Sequence, residues 1–213
     1  MTTPSERFSL ALLDRASEFG VHFSDANLQH LTGYYELVLK WNPRLHLVAP
    51  CFPEEFATRH ILESLVLLPH LSRNATIADV GSGAGLPIIP CLITRPDLSA
   101  TLIESSQKKA VFLQQALKQL DHPEAHRVLT TRFEDAQTLE VEFVTCRALE
   151  RFQQVLPKLI EWAPASSTLL LFAGSALREK IERLLPSARA DLIPGSEQRF
   201  LVIAQRDGPR RKT

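Results

Sequence analysis

The segment Asp79-Val80-Gly81-Ser82-Gly83-Ala84-Gly85 decides the fold of this chain. The short apolar run 75–78 precedes it, and the apolar segment 86–93 follows it. A further apolar run, 100–103, then ends in Glu104. A strand, a glycine turn, a helix and a second strand with an acidic tip are typical of a nucleotide-type cofactor site on a doubly wound parallel sheet.

The spacing of the glycines separates two kinds of cofactor. Glycine lets a turn adopt positive φ and lets a ligand approach bare main chain. Dinucleotide sites favour G-x-G-x-x-G, whose third glycine lets helix and strand pack closely, whereas Leu86 stands at that position here. The order D-x-G-x-G-x-G, with Asp79, Gly81, Gly83 and Gly85, resembles the first motif of S-adenosylmethionine-dependent methyltransferases. A nicotinamide or flavin site is therefore disfavoured, and a glycine turn without a ligand is the remaining alternative.

Length and composition allow one domain with a sizeable core, or one domain with a small cap. The chain has 213 residues, of which 45% are hydrophobic. No apolar run reaches the length of about 18 residues that a membrane span needs, so we expect no membrane partner. The amino terminus lacks a basic start followed by an apolar core, so we expect no secretory signal.

Cysteine usage and net charge bound the compartment and the partner. The cysteines, Cys51, Cys91 and Cys146, are odd in number and widely spaced, which favours reduced thiols in the cytoplasm and no structural metal site. The 24 basic and 24 acidic residues cancel. A protein that binds naked nucleic acid over its whole surface is usually basic, so we expect positive charge only locally and no DNA partner.

Hydrophobic periodicity predicts helices before the glycine segment and alternating strands and helices after it. We expect a first helix that Gly20 ends, a second that Ser24 caps and Asn42-Pro43 breaks, and a third from Pro53 that Pro69 closes. The predicted strands are 76–80, 100–104, 127–131, 143–147, 168–172, 188–193 and 199–204. The predicted helices among them are 86–95, 106–120, 149–162 and 175–185.

These elements predict an α/β fold of the Rossmann-like class I methyltransferase type. The sheet has seven strands and is mostly parallel, with one antiparallel strand, because the short connection 194–197 joins the last two strands as a hairpin. We divide the chain into a helical extension or cap, 1–70, a methyltransferase domain, 71–206, and a basic tail, 207–213.

Several segments outside the glycine turn resemble the bacterial 16S ribosomal RNA guanine-N7 methyltransferases, the RsmG or GidB family. The resemblance runs from about residue 24 to residue 204. The segments that carry it are Trp41-Asn42-x-Arg44-Leu45-x-Leu47, Arg59-His60-Ile61-Leu62-Glu63-Ser64-Leu65, Asp79 to Pro90, Glu104-Ser105, Lys108-Lys109, Phe112-Leu113, Arg132-Phe133-Glu134 and Cys146-Arg147-Ala148. The first two are more specific than the glycine turn, because methyltransferases in general lack them.

The resemblance implies a function and a cofactor. It implies transfer of a methyl group from S-adenosyl-L-methionine to N7 of a guanine in 16S ribosomal RNA of the small subunit. Gly81 and Leu86 would line the cofactor, Glu104 would hold its ribose, and Phe133 and Glu134 would flank its adenine. From the residues alone, Glu104 lies where a carboxylate can accept hydrogen bonds from two ribose hydroxyls.

The resemblance also implies which residues meet the substrate. Arg147 would lie where cofactor and target base meet, as the catalytic residue and a cofactor contact. A structural ion pair is the alternative for Arg147, and a packing role is the alternative for His60. The residues implied to contact RNA are Arg44, Arg59, His60, Lys108 and Lys109.

The chain departs from the family pattern at three positions. Ala173 stands where the family commonly has a lysine, Ile88 where it has a glycine, and His46 where it has an asparagine. Two other classes stay open. One is a methyltransferase for a small molecule or protein, and the other is a non-catalytic cofactor-binding scaffold, which Ala173 and Ile88 make conceivable. We expect a monomer, and the sequence does not identify the nucleotide modified.

Overall fold

A computed structural model describes residues 2–205, and the predicted basic tail lies outside the described residues. Seven strands form one sheet in the order β3-β2-β1-β4-β5-β7-β6. The strands are β1 Thr76–Val80, β2 Ser99–Ile103, β3 His126–Leu129, β4 Phe143–Cys146, β5 Thr168–Gly174, β6 Arg189–Leu192 and β7 Arg199–Gln205. Neighbouring strands are parallel except where β7 pairs antiparallel with β5 and with β6. The predicted sheet, its one antiparallel strand and its terminal hairpin are confirmed.

Two long helices precede the sheet, and their starts follow from capping residues. The helix α1 Pro4–Arg15 begins after Thr3, whose hydroxyl accepts from the main-chain N–H of Glu6. A short 3₁₀ turn, Ala16–Phe19, extends it until Gly20 ends the segment in the left-handed conformation. The helix α2 Asp25–Leu45 begins after Ser24, which forms the same reciprocal cap with Asn27. The predicted stop at Gly20 and cap at Ser24 are confirmed.

The prediction that Asn42-Pro43 breaks the second helix is wrong. α2 runs through Pro43 and ends at Leu45. A proline costs one main-chain hydrogen bond, but near the helix end the remaining turn is closed by His46, whose N–H donates to the Asn42 carbonyl. His46 adopts a left-handed φ of 48°, a conformation in which asparagine and histidine are both enriched. This gives a physical reason why His46 fits a position where the family has asparagine.

The third predicted helix is a composite of three contiguous pieces, which we call the composite helix. It consists of α3 Pro53–Glu55, a π-helical stretch Phe56–Leu62, and α4 Glu63–Leu65. Pro53 begins it as predicted, but Pro69 does not close it, because Pro69 lies in a separate 3₁₀ turn, Leu68–His70. Periodicity of 3.6 residues cannot reveal a π-helical stretch, which has more residues per turn and is frequent at functional sites.

Four further helices cover the sheet: α5 Ile88–Thr94, α6 Gln107–Leu117, α7 Phe152–Trp162 and α8 Ser175–Leu184. All four agree with the predicted ranges to within three residues, and α7 begins at Phe152 and not at Leu149. Ala148 and Arg151 have φ of 55° and 51°, which no helix tolerates, so residues 147–151 form a loop above β4. This loop adjoins the site described below.

One apolar cluster joins the amino-terminal helices to a face of the sheet. Phe8, Leu31 and Tyr34 share it with Ile88 and Leu113. A second cluster fills the opposite face, between the sheet and the helices α7 and α8. The helical amino-terminal segment therefore covers the same face as α5 and α6, and the division of the chain at residue 70 stays a prediction. Within residues 2–205, no helix is both long and apolar enough to cross a bilayer.

Candidate functional site

The glycine turn follows β1 at the carboxyl edge of the sheet, where ligands bind in folds of this type. Gly81, Gly83 and Gly85 have φ of 71°, 54° and 83°, so all three need the freedom that glycine provides. The N–H groups of Gly81 and Ser82 donate to the Ile103 carbonyl at 2.9 and 3.1 Å. These bonds tie the turn to the end of β2.

Glu104 completes the tie between the turn and β2. Its Oε2 accepts from the Gly83 N–H at 2.9 Å, and its Oε1 accepts from the Ser106 N–H at 2.7 Å. The side chain is nearly buried, with 7% of its surface exposed. Each carboxylate oxygen has a second lone pair, so Glu104 can still accept a hydroxyl from a ligand while it holds the turn.

Asp79 lies beneath the turn and is fully buried. Its Oδ1 accepts from the Thr145 hydroxyl at 2.7 Å, whereas its Oδ2 has no hydrogen-bond partner within the described residues. Burial raises the pKa of Asp79 to about 7, and the hydrogen bond from Thr145 opposes this shift, as does the nearby Ser82 hydroxyl, which donates to the Asp79 carbonyl at 2.9 Å. Asp79 thus supports the turn from within the protein.

A cavity of about 550 Å³ opens in front of the turn. Sequence-predicted residues that line it are Gly81, Gly83, Leu86, Glu104, His60, Lys109 and Arg147. The loop after α2 contributes Leu47, Val48 and Ala49, and the loop after β4 contributes Ala148, Leu149 and Glu150. Residues predicted separately for cofactor and for substrate therefore meet in one space.

A smaller cavity of about 110 Å³ lies on the other side of Gly81. Phe133 and Glu134 line it, as do Thr131 and Arg132. Phe133 is buried against the edge of Trp162, with ring centroids 6.0 Å apart, while Glu134 is exposed. The two cavities share Gly81, Ser105, Leu149 and Glu150, so they are two parts of one groove along the sheet edge.

The Leu149 side chain lies between the two cavities. A Cβ built on Gly81 would stand 2.5 Å from Leu149 Cδ1. Leu149 therefore packs directly on the bare main chain of Gly81, at the place where a ligand spanning both cavities would cross. The sequence singled out Arg147 and Ala148 but missed Leu149, whose only signal is its place one residue further along the same loop.

Arg147 enters the larger cavity from the end of β4 and is held by the composite helix. Its Nη2 donates to the Arg59 carbonyl at 2.6 Å and to Glu63 Oε2 at 3.3 Å, and its Nη1 donates to the Ser64 hydroxyl at 3.2 Å. The guanidinium also lies 5.2 Å from the centroid of the Phe172 ring. Burial lowers the pKa of Arg147, and Glu63 opposes this shift.

His60 lines the same cavity and is kept neutral. Burial, with the charge of Arg147 and then of Arg59, lowers the pKa of His60 to about 4. Its ring lies against Phe56, with centroids 5.0 Å apart. A neutral imidazole can both donate and accept a hydrogen bond, so His60 can read a polar ligand without adding positive charge.

The remaining residues predicted for RNA differ in position. Lys109 reaches the cavity, and Lys108, its neighbour at the start of α6, is exposed. Arg59 is exposed and pairs with Glu55 at 2.9 Å. Arg44 is exposed in the last turn of α2 and does not line the cavity. The structure thus brings His60 and Lys109 to Arg147, and leaves Arg44 and Lys108 on the surface.

Two supporting residues were missed by sequence reasoning. Tyr34 in α2 is buried and donates its hydroxyl to the Ala84 carbonyl of the turn at 2.6 Å. Glu63 holds Arg147 although only 1% of its surface is exposed. No motif singled out Tyr34 within the second predicted helix, and Glu63 was visible only as a member of the R-H-I-L-E-S-L segment.

Comparison with known proteins finds a family that matches most of the chain. Residues 27–196 match the family GidB, rRNA small subunit methyltransferase G. The chain is 36% identical over 184 residues to "Ribosomal RNA small subunit methyltransferase G" of Xanthomonas campestris pv. campestris, which covers 83% of this chain and 86% of the relative. It is 39% identical over 194 residues to the protein of that name from Neisseria meningitidis serogroup B, with 88% and 93% covered.

Solved structures of more distant proteins share the fold. An RNA methyltransferase from Salinibacter ruber in complex with S-adenosyl-L-homocysteine superposes with a TM-score of 0.51 at 15% identity, over 72% of this chain and 95% of that one. A ribosomal protein L11 methylase from Lactobacillus delbrueckii subsp. bulgaricus gives a TM-score of 0.54 at 16% identity, over 70% and 80%. The predicted Rossmann-like methyltransferase fold is confirmed.

Proposed function

From the premise that this chain belongs to the family of ribosomal RNA small subunit methyltransferase G, we propose that it methylates 16S ribosomal RNA of the small subunit. The methyl donor is S-adenosyl-L-methionine and the acceptor is N7 of a guanine. The observation that carries the proposal is the single groove in which the glycine turn and Glu104 face Arg147 and His60.

The groove fits the methyl donor on the chemistry of its lining. Gly81 contributes main chain at the point where both cavities meet, where the Leu149 side chain packs on it. Glu104 supplies carboxylate oxygens for ribose hydroxyls, and Phe133 supplies a buried ring next to the adenine side. When bound, the donor supplies an electrophilic methyl group on a sulfonium. Leu86 and Leu149 line the space beside it.

The acceptor needs orientation more than proton transfer. Guanine N7 has an in-plane lone pair and no proton, so this chain needs no general base. Alignment of reacting atoms can contribute roughly 7–11 kcal/mol in ideal cases. In this proposal Arg147 donates to the guanine O6 edge, since arginine pairs with the acceptors of guanine, and neutral His60 lines the same cavity.

The RNA surface in this proposal surrounds the cavity mouth. Lys109 lines the cavity, and the exposed residues Arg59, Arg44 and Lys108 extend this surface in the proposal. Because the net charge is zero, less of the affinity comes from phosphate contacts, which favours a structured small subunit over free RNA. In this proposal the chain acts as a monomer in the cytoplasm.

The proposal is tested by transfer of a radiolabelled methyl group to small subunits that lack the modification. Label mapped to N7 of one guanine in 16S RNA is the expected result. Label on a protein or a small molecule instead would favour another acceptor class. Binding of the donor without any transfer would indicate a scaffold.

The cofactor half has a test that is independent of activity. Substitution Glu104→Ala removes a charged acceptor, so we expect the dissociation constant for S-adenosyl-L-homocysteine to rise at least about tenfold, or about 1.5–3 kcal/mol. Isothermal titration calorimetry measures it, with Glu140→Ala as the control, because Glu140 is exposed and lines neither cavity. Unchanged affinity for Glu104→Ala would contradict the assigned ribose contact.

A further inference from the structure

Glu63 is the point at which two arginines from different elements meet. Its Oε2 accepts from Arg147 Nη2 at 3.3 Å, and its Oε1 accepts from Arg199 Nη2 at 2.8 Å and Nε at 3.0 Å. Arg147 comes from the end of β4 and Arg199 from the start of β7. A buried carboxylate is stable only when it is paired, and here each oxygen has its own cation.

The contacts of Arg147 fix its guanidinium from the helix side. Glu63, Ser64 and the Arg59 carbonyl lie on consecutive turns of the composite helix. The Phe172 ring supports the guanidinium from the sheet. Three acceptors and one ring therefore determine where Arg147 lies in the cavity, and Glu63 is the only charged acceptor among them.

The R-H-I-L-E-S-L segment gains a physical explanation from these contacts. Arg59 provides a carbonyl, His60 lines the cavity, and Glu63 and Ser64 hold Arg147. The hydrogen bond from the Ser64 hydroxyl to the His60 carbonyl, 2.5 Å, fixes Ser64 in turn. Every polar residue of the segment is thus engaged at or around a single arginine.

We propose that Glu63 is a positioning residue for methyl transfer, acting through Arg147, with Arg199 anchoring its second oxygen. The inference rests on the proposed function, because Arg147 is taken to orient the target guanine. The Glu63 carboxylate also offsets the positive charge of Arg147 in the cavity that the cationic donor would occupy. Loss of the Glu63 carboxylate would leave the Arg147 side chain present and charged, but its guanidinium would be free to rotate away from the base.

A double-mutant cycle separates positioning from plain structural support. The variants are Glu63→Gln, Arg147→Ala and the two combined, measured for kcat and KM on small subunits at saturating donor. We expect Glu63→Gln to lower kcat by about tenfold to a hundredfold, as misplaced orienting groups do. The combined variant should be no slower than Arg147→Ala alone, because Glu63 has no other route to the reaction.

Asp97→Asn is the matched control. Asp97 pairs with Arg95 at 2.6 Å next to the start of β2, at the opposite edge of the sheet. The Asp97→Asn substitution removes an arginine–carboxylate pair that lies away from the groove, so the free energy of unfolding should fall while kcat stays unchanged. Thermal unfolding and calorimetric affinity for S-adenosyl-L-homocysteine are measured for every variant, and Glu63→Gln should change that affinity by less than about threefold.

The kinetic results test this positioning role of Glu63. Rates that multiply in the combined variant, or a wild-type kcat in Glu63→Gln, would overturn it. A wild-type chain that transfers no methyl to the subunit would overturn the proposed function instead. If Glu63→Gln does not fold, Arg199→Gln takes its place in the cycle, because it leaves the Glu63–Arg147 pair intact. If Arg199→Gln lowers kcat in the wild-type background but not in the Arg147→Ala background, the result supports the positioning role. If Arg199→Gln lowers kcat equally in both backgrounds, the result overturns that role.

Discussion

The glycine turn and the composite helix face each other across one cavity and work by different means. The turn acts through main-chain shape, with three positive φ values and hydrogen bonds to Ile103 and Glu104. The composite helix acts through charge, with Glu63 holding Arg147. Shape of this kind is written locally in glycine spacing, whereas the charge network joins residues that are distant in the chain and has no local signature.

The largest expected effect tests whether space limits the turn. A Cβ on Gly85 would overlap the Ile89 side chain and stand 3.2 Å from Leu113 Cδ2, whereas a Cβ on Gly83 would meet only the Gly81 carbonyl at 3.7 Å. We expect Gly85→Ala to lower the free energy of unfolding by about 2–4 kcal/mol and Gly83→Ala by about 1 kcal/mol. Denaturant titration measures both.

Gly83→Ala serves as the control, because both positions have positive φ and share that backbone cost. Equal losses for the two variants would mean that conformation alone matters at this turn. The turn would then differ from the composite helix in backbone strain and not in packing.

The second prediction concerns the buried carboxyl group of Asp79 beneath the turn. The pKa of Asp79 is raised to about 7 by burial, so its folded form keeps a proton that the unfolded chain releases near pH 4. The contribution of this carboxyl group to the free energy of unfolding is fully present below about pH 4, and it is lost as the pH rises from about 4 through 7. We expect Asp79→Asn to gain about 2 kcal/mol relative to wild type between pH 5 and pH 8.

Denaturant titrations at both pH values measure that difference, and subtraction of the wild type cancels the other titrating groups. A gap between the two proteins that does not change with pH would show that Asp79 is already ionised. The turn would then rest on a buried charge, as the composite helix does, and the contrast between the two regions would break.

The smallest expected effect tests whether the amino-terminal helices support the turn. Tyr34→Phe removes the hydroxyl that donates to the Ala84 carbonyl, so we expect a loss of about 1 kcal/mol of unfolding free energy. Tyr35→Phe is the matched control, because the neighbouring ring packs on Phe8 at 4.4 Å. A cost for Tyr35→Phe as large as for Tyr34→Phe would show that the bond to the turn adds nothing.

Much of the architecture was predictable because it depends on short-range patterns. The order of strands and helices along the chain, the cap at Ser24 and the stop at Gly20 follow from periodicity and from residues adjacent in sequence. Pro43 misled the prediction because a local rule about proline was outweighed by the closing bond at His46. Leu149 was assigned to a helix because its loop depends on positive φ at residues that are not glycine.

The site divides in the same way. Gly81 and Glu104 were identified from spacing, and the structure places them in the same cavity lining. Arg147 and His60 came only from the family resemblance, and their roles stay predictions. Glu63 could not be assigned a partner from sequence, because Arg147 lies 84 residues away and Arg199 lies 136 residues away.

The π-helical stretch Phe56–Leu62 makes the length of this segment as important as its composition. Each residue of an α-helix turns the chain by about 100°. A one-residue deletion between His60 and Glu63 would therefore rotate Arg59 and His60 out of phase with Glu63. Point substitutions at exposed positions leave that phase intact. Insertions and deletions should therefore be rarer here among relatives than substitutions. A shift in helical phase would separate His60, which lines the cavity, from the Glu63 carboxylate behind it.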